Sequence, residues 1–253
     1  MKQDFNIDER YLLLYDYERF KELVWDGDHQ KIVIWSGGAD STLLMVELAI
    51  VCKAKHMNLN TISVDMDYIH QDKIATEKKC RKKLLKFLKS CGLDNIRESS
   101  ITIKQSLDYY DSSSVHIRYP QQFLWGVIPL QLAPDNSDVF FGFIKEDEVW
   151  HCSRRQEFFD IFNRWHNLNL RFHDPYEYYT KKNVYIQLHE LGLLKYIWTC
   201  ETPTMVNEPC GTCLPCQHRR DTLFDLYMIG EEWAGKLLEK EFNVQIKKEG
   251  GND

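Results

Sequence analysis

Residues 31–47 read KIVIWSGGADSTLLMVE, and the fold can be read outward from them. Ile32, Val33, Ile34 and Trp35 form an unbroken apolar run, the pattern of a strand buried on both faces. Apolar residues resume at helical spacing from Leu43 through Leu44, Val46 and Leu48, so a helix is expected there. Between the two lies Ser36-Gly37-Gly38-Ala39-Asp40-Ser41-Thr42. Two adjacent glycines let the backbone approach a ligand closely and turn its N–H groups into one concavity. Ser41 or Thr42 would then stand at the helix start, where unpaired N–H groups and the positive dipole end attract an anion. Strand, glycine turn and helix in that order predict a phosphate cradle.

The kind of cradle is decided by what the turn lacks. A Walker loop needs four residues between its glycines and a Lys-Ser/Thr pair, and no lysine follows Gly38. The dinucleotide fingerprint needs a third glycine where this chain has Ser41. Ser-Gly-Gly-x-Asp-Ser resembles the signature of the PP-loop ATP pyrophosphatases. That resemblance implies ATP held by its pyrophosphate while a carboxylate, a carbonyl or a tRNA base is adenylated.

The chain has 253 residues, 43% hydrophobic and 28% charged, with a net charge of −6. This suits one large domain, or a domain with a small appendage, on a prior of roughly 150 residues per domain. The negative charge argues against non-specific nucleic-acid binding as the main activity. No apolar run has the length of a membrane span, and MKQDFNIDER has no signal-like core, so a cytoplasmic protein without membrane contact is expected. Eight cysteines in a reducing compartment point to metal or catalysis before disulfides.

Taken in order, residues 1–29 read as an N-terminal extension with a short helix near Glu18–Trp25. Residues 30–185 read as an ATP-binding α/β domain and 186–253 as a helical region carrying a metal knuckle. Strands are expected at Thr61–Asp67, Ile101–Ile103 and Val139–Phe143, and helices at 72–91 and 121–132. On the first of these helices, residues 72–91, Lys78, Lys79, Arg81, Lys82, Lys83, Lys86 and Lys89 are expected to make a solvated face. Alternating strands and helices predict a doubly wound parallel sheet. Ligands of such sheets bind at the carboxyl ends of the strands, where Gly37, Asp67 and Gly142 would converge.

The second strong signal is Cys200, nine intervening residues, then Cys210-Gly211-Thr212-Cys213-Leu214-Pro215-Cys216. Closely spaced Cys-x-x-Cys pairs present two thiolates from one turn, and four thiolates complete a tetrahedron. Cys200, Cys210, Cys213 and Cys216 therefore suit a structural Zn2+ site, with a redox dithiol or an iron–sulfur cluster as alternatives. Cys52, Cys80 and Cys91 read as small buried hydrophobes.

A PP-loop followed by Trp-x-Cys-x9-Cys-Gly-x-Cys-x-x-Cys-x-x-Arg, from Trp198 to Arg219, resembles the 7-cyano-7-deazaguanine synthase family of the QueC type. Gly142, Glu146-Asp147 and Arg155-Gln156-Glu157-Phe158 match its middle, and Lys181 or Lys182 matches a further lysine. The resemblance implies an AMP-forming carbon–nitrogen ligase that adenylates 7-carboxy-7-deazaguanine with ATP and Mg2+. Ammonia would then attack, giving an amide and, after a second activation, a nitrile. It further implies ATP contacts from Ser36, Gly37, Gly38, Asp40, Ser41, Thr42, Asp67, Arg118 and Gly142. Catalytic roles would fall to Ser36, Asp40, Ser41, Arg155 and Glu157, in a homodimer.

Three segments depart from the family pattern: Tyr68-Ile69-His70-Gln71-Asp72, Val115-His116-Ile117-Arg118-Tyr119 and His151-Cys152-Ser153-Arg154-Arg155. Together with the extension, they resemble QueC-like relatives of anti-phage defence operons, in which a protein amine from an operon partner replaces ammonia. A tRNA-thiolating enzyme and a nucleotide-sensing module are the readings of other classes.

Overall fold

The computed structural model describes residues 20–22, 24, 28–67, 71–104, 130–147 and 155–244. Among them, five strands form one sheet: β1 (Gln30–Ile34), β2 (Leu59–Asp67), β3 (Ile96–Lys104), β4 (Ser137–Phe140) and β5 (Leu170–His173). All are parallel, in the order β3-β2-β1-β4-β5. The helices are α1 (Ala39–Ala54), α2 (Gln71–Ser90), α3 (Arg155–His166), α4 (Lys181–Glu190), α5 (Leu214–Met228) and α6 (Glu232–Phe242).

The apolar run of β1 is buried on both faces, as its composition predicts. Val33 and Trp35 join a core with α1, α2 and α4, whereas Ile32 and Ile34 pack with Phe159 and Phe162 of α3. Side chains alternate across a strand, so one run feeds two cores. Leu223, Leu226, Ala234 and Leu238, from α5 and α6, belong to the same cluster as α1. From Ala39 to Cys52 every residue of α1 is buried except Asp40. The chain leaves β1 toward β2 and β3 on one side and reaches β4 and β5 on the other. A crevice therefore opens at the carboxyl end of β1, where the order reverses.

Three differences from the expected pattern have physical causes. β3 begins at Ile96 because its backbone pairs with β2 from Leu59 to Asp67, although Arg97, Glu98, Ser99 and Ser100 are exposed edge residues. β4 starts and ends earlier than expected, at Ser137 and Phe140, and beyond it the Phe141 N–H donates to His173 O at 2.9 Å. Arg81 is not on the solvated face of its helix: it is 2% exposed, and its Nη2 donates to Asp65 Oδ1 at 2.6 Å. Lys79, Lys82, Lys83, Lys86 and Lys89 are exposed as expected. Of the scattered cysteines, Cys52 is buried, while Cys80 and Cys91 are half-buried. The expected helix at 121–132 lies almost wholly outside the described residues.

At the amino ends of the central strands the sheet is closed by charge. Lys31 and Asp138, both fully buried, pair at 2.5 Å, and Arg171 Nε and His173 Nε2 reach the same carboxylate at 2.6 and 3.0 Å. Burial alone would raise the Asp138 pKa, but His173, Arg171 and Lys31 outweigh it and hold the carboxyl well below its ordinary range.

Candidate active site

The turn between β1 and α1 is tied by its own serines. Ser36 Oγ and Ser41 Oγ lie 2.8 Å apart, and the Ser36 and Gly38 N–H groups each donate to the opposing hydroxyl system at 3.2 Å. Gly37 has φ of +89°, which explains that glycine. Gly38 is the N-cap of α1, and the Thr42 N–H closes the first helical turn on Gly38 O at 3.2 Å. The amides of Ala39, Asp40 and Ser41 precede that bond and have no acceptor within the helix. Their residues line a cavity of about 330 Å3.

Gly142, just past β4, serves a different purpose. A Cβ there would sit 2.9 Å from Ser41 Cα and Ser41 N. The absence of a side chain lets the end of β4 lie directly against the first turn of α1.

Asp40 and Lys181 meet across this cavity, with Lys181 Nζ donating to Asp40 Oδ2 at 2.5 Å. Burial works against the ammonium, but Asp40 and Tyr185 outweigh it and raise the Lys181 pKa. Among the described residues, Asp40 Oδ1 is buried with no hydrogen-bond partner. A carboxylate oxygen held in that condition suits a hard cation such as Mg2+, which takes carboxylate and phosphate oxygens together. Asp147 also lines the cavity, and its Oδ2 accepts from the Ile144 N–H at 2.9 Å. Burial pushes the Asp147 pKa up.

Lys73 and Glu77 of α2 continue the wall, and Arg81 on the same face stands behind it. Arg81 Nη1 donates to Ser36 O at 3.3 Å, and its side chain packs beneath Gly37. Glu77 and Lys73 follow at four-residue intervals, and both line the cavity. Lys73 Nζ lies 3.7 Å from Glu77 and 2.5 Å from Glu201. Burial pushes the Glu77 carboxyl up to about 7. On the far side, Arg219 makes a two-pronged pair with Glu241 at 2.7 and 2.9 Å and donates to Tyr185 Oη at 3.2 Å.

The cysteines converge. The sulfurs of Cys200, Cys210, Cys213 and Cys216 all lie within 4.8 Å of one another, which fits a tetrahedral metal. Burial raises the thiol pKa of Cys200 to about 11 and pushes that of Cys216 up as well, whereas at Cys210 donors from Thr202, Thr212 and Cys213 outweigh burial and lower it to about 5. The knuckle also forms cavity wall: Trp198, Thr199, Glu201, Leu214 and Pro215 line it.

Of the residues expected at the site, Ser36, Gly38, Asp40, Ser41 and Gly142 line the cavity. Gly37 and Thr42 support it from behind. Thr42 is fully buried, and its Oγ1 accepts from Trp35 Nε1 at 3.0 Å. Glu157 is exposed in the first turn of α3 and is not a cavity residue. Arg118 and the side chains of Asp67 and Arg155 lie outside the described residues, as do residues 1–19, 68–70 and 151–154. Between the two candidate lysines the geometry chooses Lys181, because Lys182 pairs with Asp225 at 2.8 Å. Lys73, Glu77, Tyr185, Glu201 and His218 were not expected. No local motif marks them, and the packing of α2, α4, α5 and the cysteine knuckle around one crevice brings them together.

A parallel sheet ordered β3-β2-β1-β4-β5, with a Ser-Gly-Gly-x-Asp-Ser cradle at its switch point, defines a PP-loop nucleotide-binding protein. The profile of the family described as queuosine biosynthesis protein QueC matches residues 30–226, and the chain belongs to that family. It is thus an ATP-dependent PP-loop enzyme of a family that acts on a deazaguanine with ammonia. Among solved structures it is similar to the U34-tRNA thiolase NcsA from Methanococcus maripaludis with its [4Fe-4S] cluster. That match has a TM-score of 0.45 and 16% identity, over 96% of this chain and 82% of the other. The NH3-dependent NAD synthetase from Campylobacter jejuni subsp. jejuni NCTC 11168, in complex with the nitrate ion, is similar at a TM-score of 0.38 and 14% identity. It is covered over 96% of its length, and this chain over 92%. No curated protein matches the sequence. No helix among the described residues is long and apolar enough to cross a membrane.

Proposed function

We propose that the enzyme adenylates the carboxylate of a 7-deazaguanine, 7-carboxy-7-deazaguanine in the first instance, and passes the acyl group to an amine. The observation that carries this reading is the shared cavity of the cradle amides and the Asp40–Lys181 pair, in a chain matched by the QueC profile from residue 30 to 226. A carboxylate is a poor electrophile until one of its oxygens becomes part of a leaving group. Attack of that oxygen on the α-phosphorus of ATP forms the acyl-adenylate and releases pyrophosphate. The amides of Ala39, Asp40 and Ser41 are suited to the charge growing on the departing pyrophosphate. Lys181 adds a cation fixed by Asp40. Mg2+ bound at Asp40 would offset phosphate charge, and a structural Zn2+ held by Cys200, Cys210, Cys213 and Cys216 would fix the knuckle.

The amine then attacks the acyl carbon, AMP departs with the bonding pair, and an amide remains. Ammonia gives the primary amide, which a second ATP could activate for dehydration to the nitrile. A peptide amine supplied by a partner protein gives a conjugate by the same step.

The test is incubation of the metal-loaded protein with ATP, Mg2+, 7-carboxy-7-deazaguanine and ammonium, followed by mass spectrometry. AMP with amide or nitrile is expected. Pyrophosphate release with the deazaguanine halted at the adenylate directs the search to a protein amine. No AMP with the deazaguanine, and AMP formation with tRNA and a sulfur donor instead, overturns the assignment.

A further inference from the structure

Among the described residues four carboxylates line the cavity, and three of them are committed. Asp40 is held by Lys181, Asp147 accepts from the Ile144 N–H, and Glu201 takes Lys73 at 2.5 Å. Glu77 is the exception: it is 8% exposed, and Lys73 Nζ approaches it only to 3.7 Å. Its place along α2 is informative. Glu77 lies four residues before Arg81, whose guanidinium holds Ser36 O of the cradle, so the two are separated by about 6 Å of helix rise. Counting Glu77, Glu201 and Lys73 together, this wall carries one more negative charge than positive when all are ionised.

We infer that the Glu77 carboxylate, braced by Lys73 against Glu201, takes the proton of the amine that attacks the activated deazaguanine carboxylate. The inference rests on the reading above and assigns the base that reading leaves open. An amine arrives as its conjugate acid, which has no lone pair to donate. Transfer of one N–H proton to Glu77 gives the neutral amine and a carboxylic acid. The freed lone pair then forms the C–N bond, and the C–O bond to AMP breaks with its electron pair going to the phosphate oxygen. A second N–H proton leaves the tetrahedral nitrogen for solvent water as the carbonyl reforms, and Glu77 gives up its own proton to solvent before the next turnover.

The surroundings fit that duty. Lys73 and Arg81 on α2, Glu201 on the knuckle and Asp65 on β2 are the charges that act on Glu77, and burial dominates them all. A carboxyl poised near neutrality accepts a proton and returns it within one turnover, which is where general bases work best.

The experiment separates the two half-reactions. Pyrophosphate release in the presence of the carboxylate reports adenylation, and amide formation reports transfer. Glu77→Gln keeps the size of the side chain and should release pyrophosphate within about twofold of wild type. Transfer to ammonium should fall about 100-fold or more. Hydroxylamine is already unprotonated at neutral pH and should restore transfer to within about tenfold. Glu77→Asp, which retains a carboxylate, should keep a measurable ammonium rate, and this guards against a folding defect in the first variant. Normal ammonium transfer by Glu77→Gln overturns the inference. So does an equal failure with hydroxylamine, or a matching loss of pyrophosphate release, because each describes a merely structural side chain. If wild type itself releases no pyrophosphate with the carboxylate, the functional reading falls first and takes this inference with it.

Discussion

The main-chain N–H of Trp198 donates to the carbonyl of Gly37 at 3.1 Å, so the cysteine knuckle is bonded to the phosphate cradle. Trp198 is two residues before Cys200, and its indole Nε1 donates to Cys200 O at 2.9 Å. The knuckle and the cradle therefore hold each other in place.

Removing the metal should be felt at the nucleotide. Cys213→Ser, or chelation of the wild-type protein, should abolish bound metal and lower thermal stability. ATP binding by calorimetry should weaken at least tenfold. Undiminished ATP affinity in a folded, metal-free protein would show that the Trp198–Gly37 bond transmits nothing.

Neighbouring lysines should behave unlike each other. Lys181→Met leaves both oxygens of Asp40 unpaired and should cut ATP-dependent pyrophosphate release about 100-fold or more. Lys182→Met breaks only the exposed pair with Asp225 and should change stability by less than about 1 kcal/mol and turnover little. Parallel rate and melting measurements on the two variants test the contrast.

One added carbon should damage the site. In Gly142→Ala the new Cβ meets backbone atoms of Ser41 at 2.9 Å, and backbone cannot rotate aside as a side chain can. Overpacking of this kind costs about 1–3 kcal/mol, so the melting temperature should fall and the KM for ATP should rise. Unaltered ATP kinetics would mean that α1 does not need its present seat.

The opposite end of the sheet gives a pH-dependent prediction. Asp138→Asn strands the fully buried Lys31 and should cost about 3–5 kcal/mol at neutral pH in urea unfolding. The folded-state pKa of Asp138 lies below its ordinary value of 3.8, so this stabilisation is present above that value and is lost as pH falls beneath it. The difference between wild type and variant should therefore shrink in acid. A difference of constant size from neutral pH to pH 3 would contradict the pairing.

What the sequence disclosed was what local chemistry encodes. Gly37, Gly38, Asp40 and Ser41 are adjacent, and their spacing already describes the turn they form. The four cysteines likewise carry their geometry in their intervals. Arg81 was misplaced because periodicity along α2 says nothing of Asp65 on β2, and the partner decided its burial. β5 escaped notice because four residues at a sheet edge, only Leu170 of them buried, leave almost no pattern. Lys73, Glu77 and Glu201 are joined by the approach of α2 to the knuckle, a contact between residues more than a hundred positions apart in the chain.

The two ends of the central strands handle charge in opposite ways. Around Asp138 the buried carboxylate is met by Lys31, Arg171 and His173, and its charge is answered when the chain folds. Around Asp40, among the described residues, an oxygen is left unanswered beside the first amides of α1. The free enzyme is thus locally frustrated at one end of its sheet, and nucleotide with its cation relieves what folding leaves unresolved. Ligand affinity and residual instability are here the same quantity seen from two sides, so a variant that gave Asp40 Oδ1 a partner within the protein would weaken the hold on ATP.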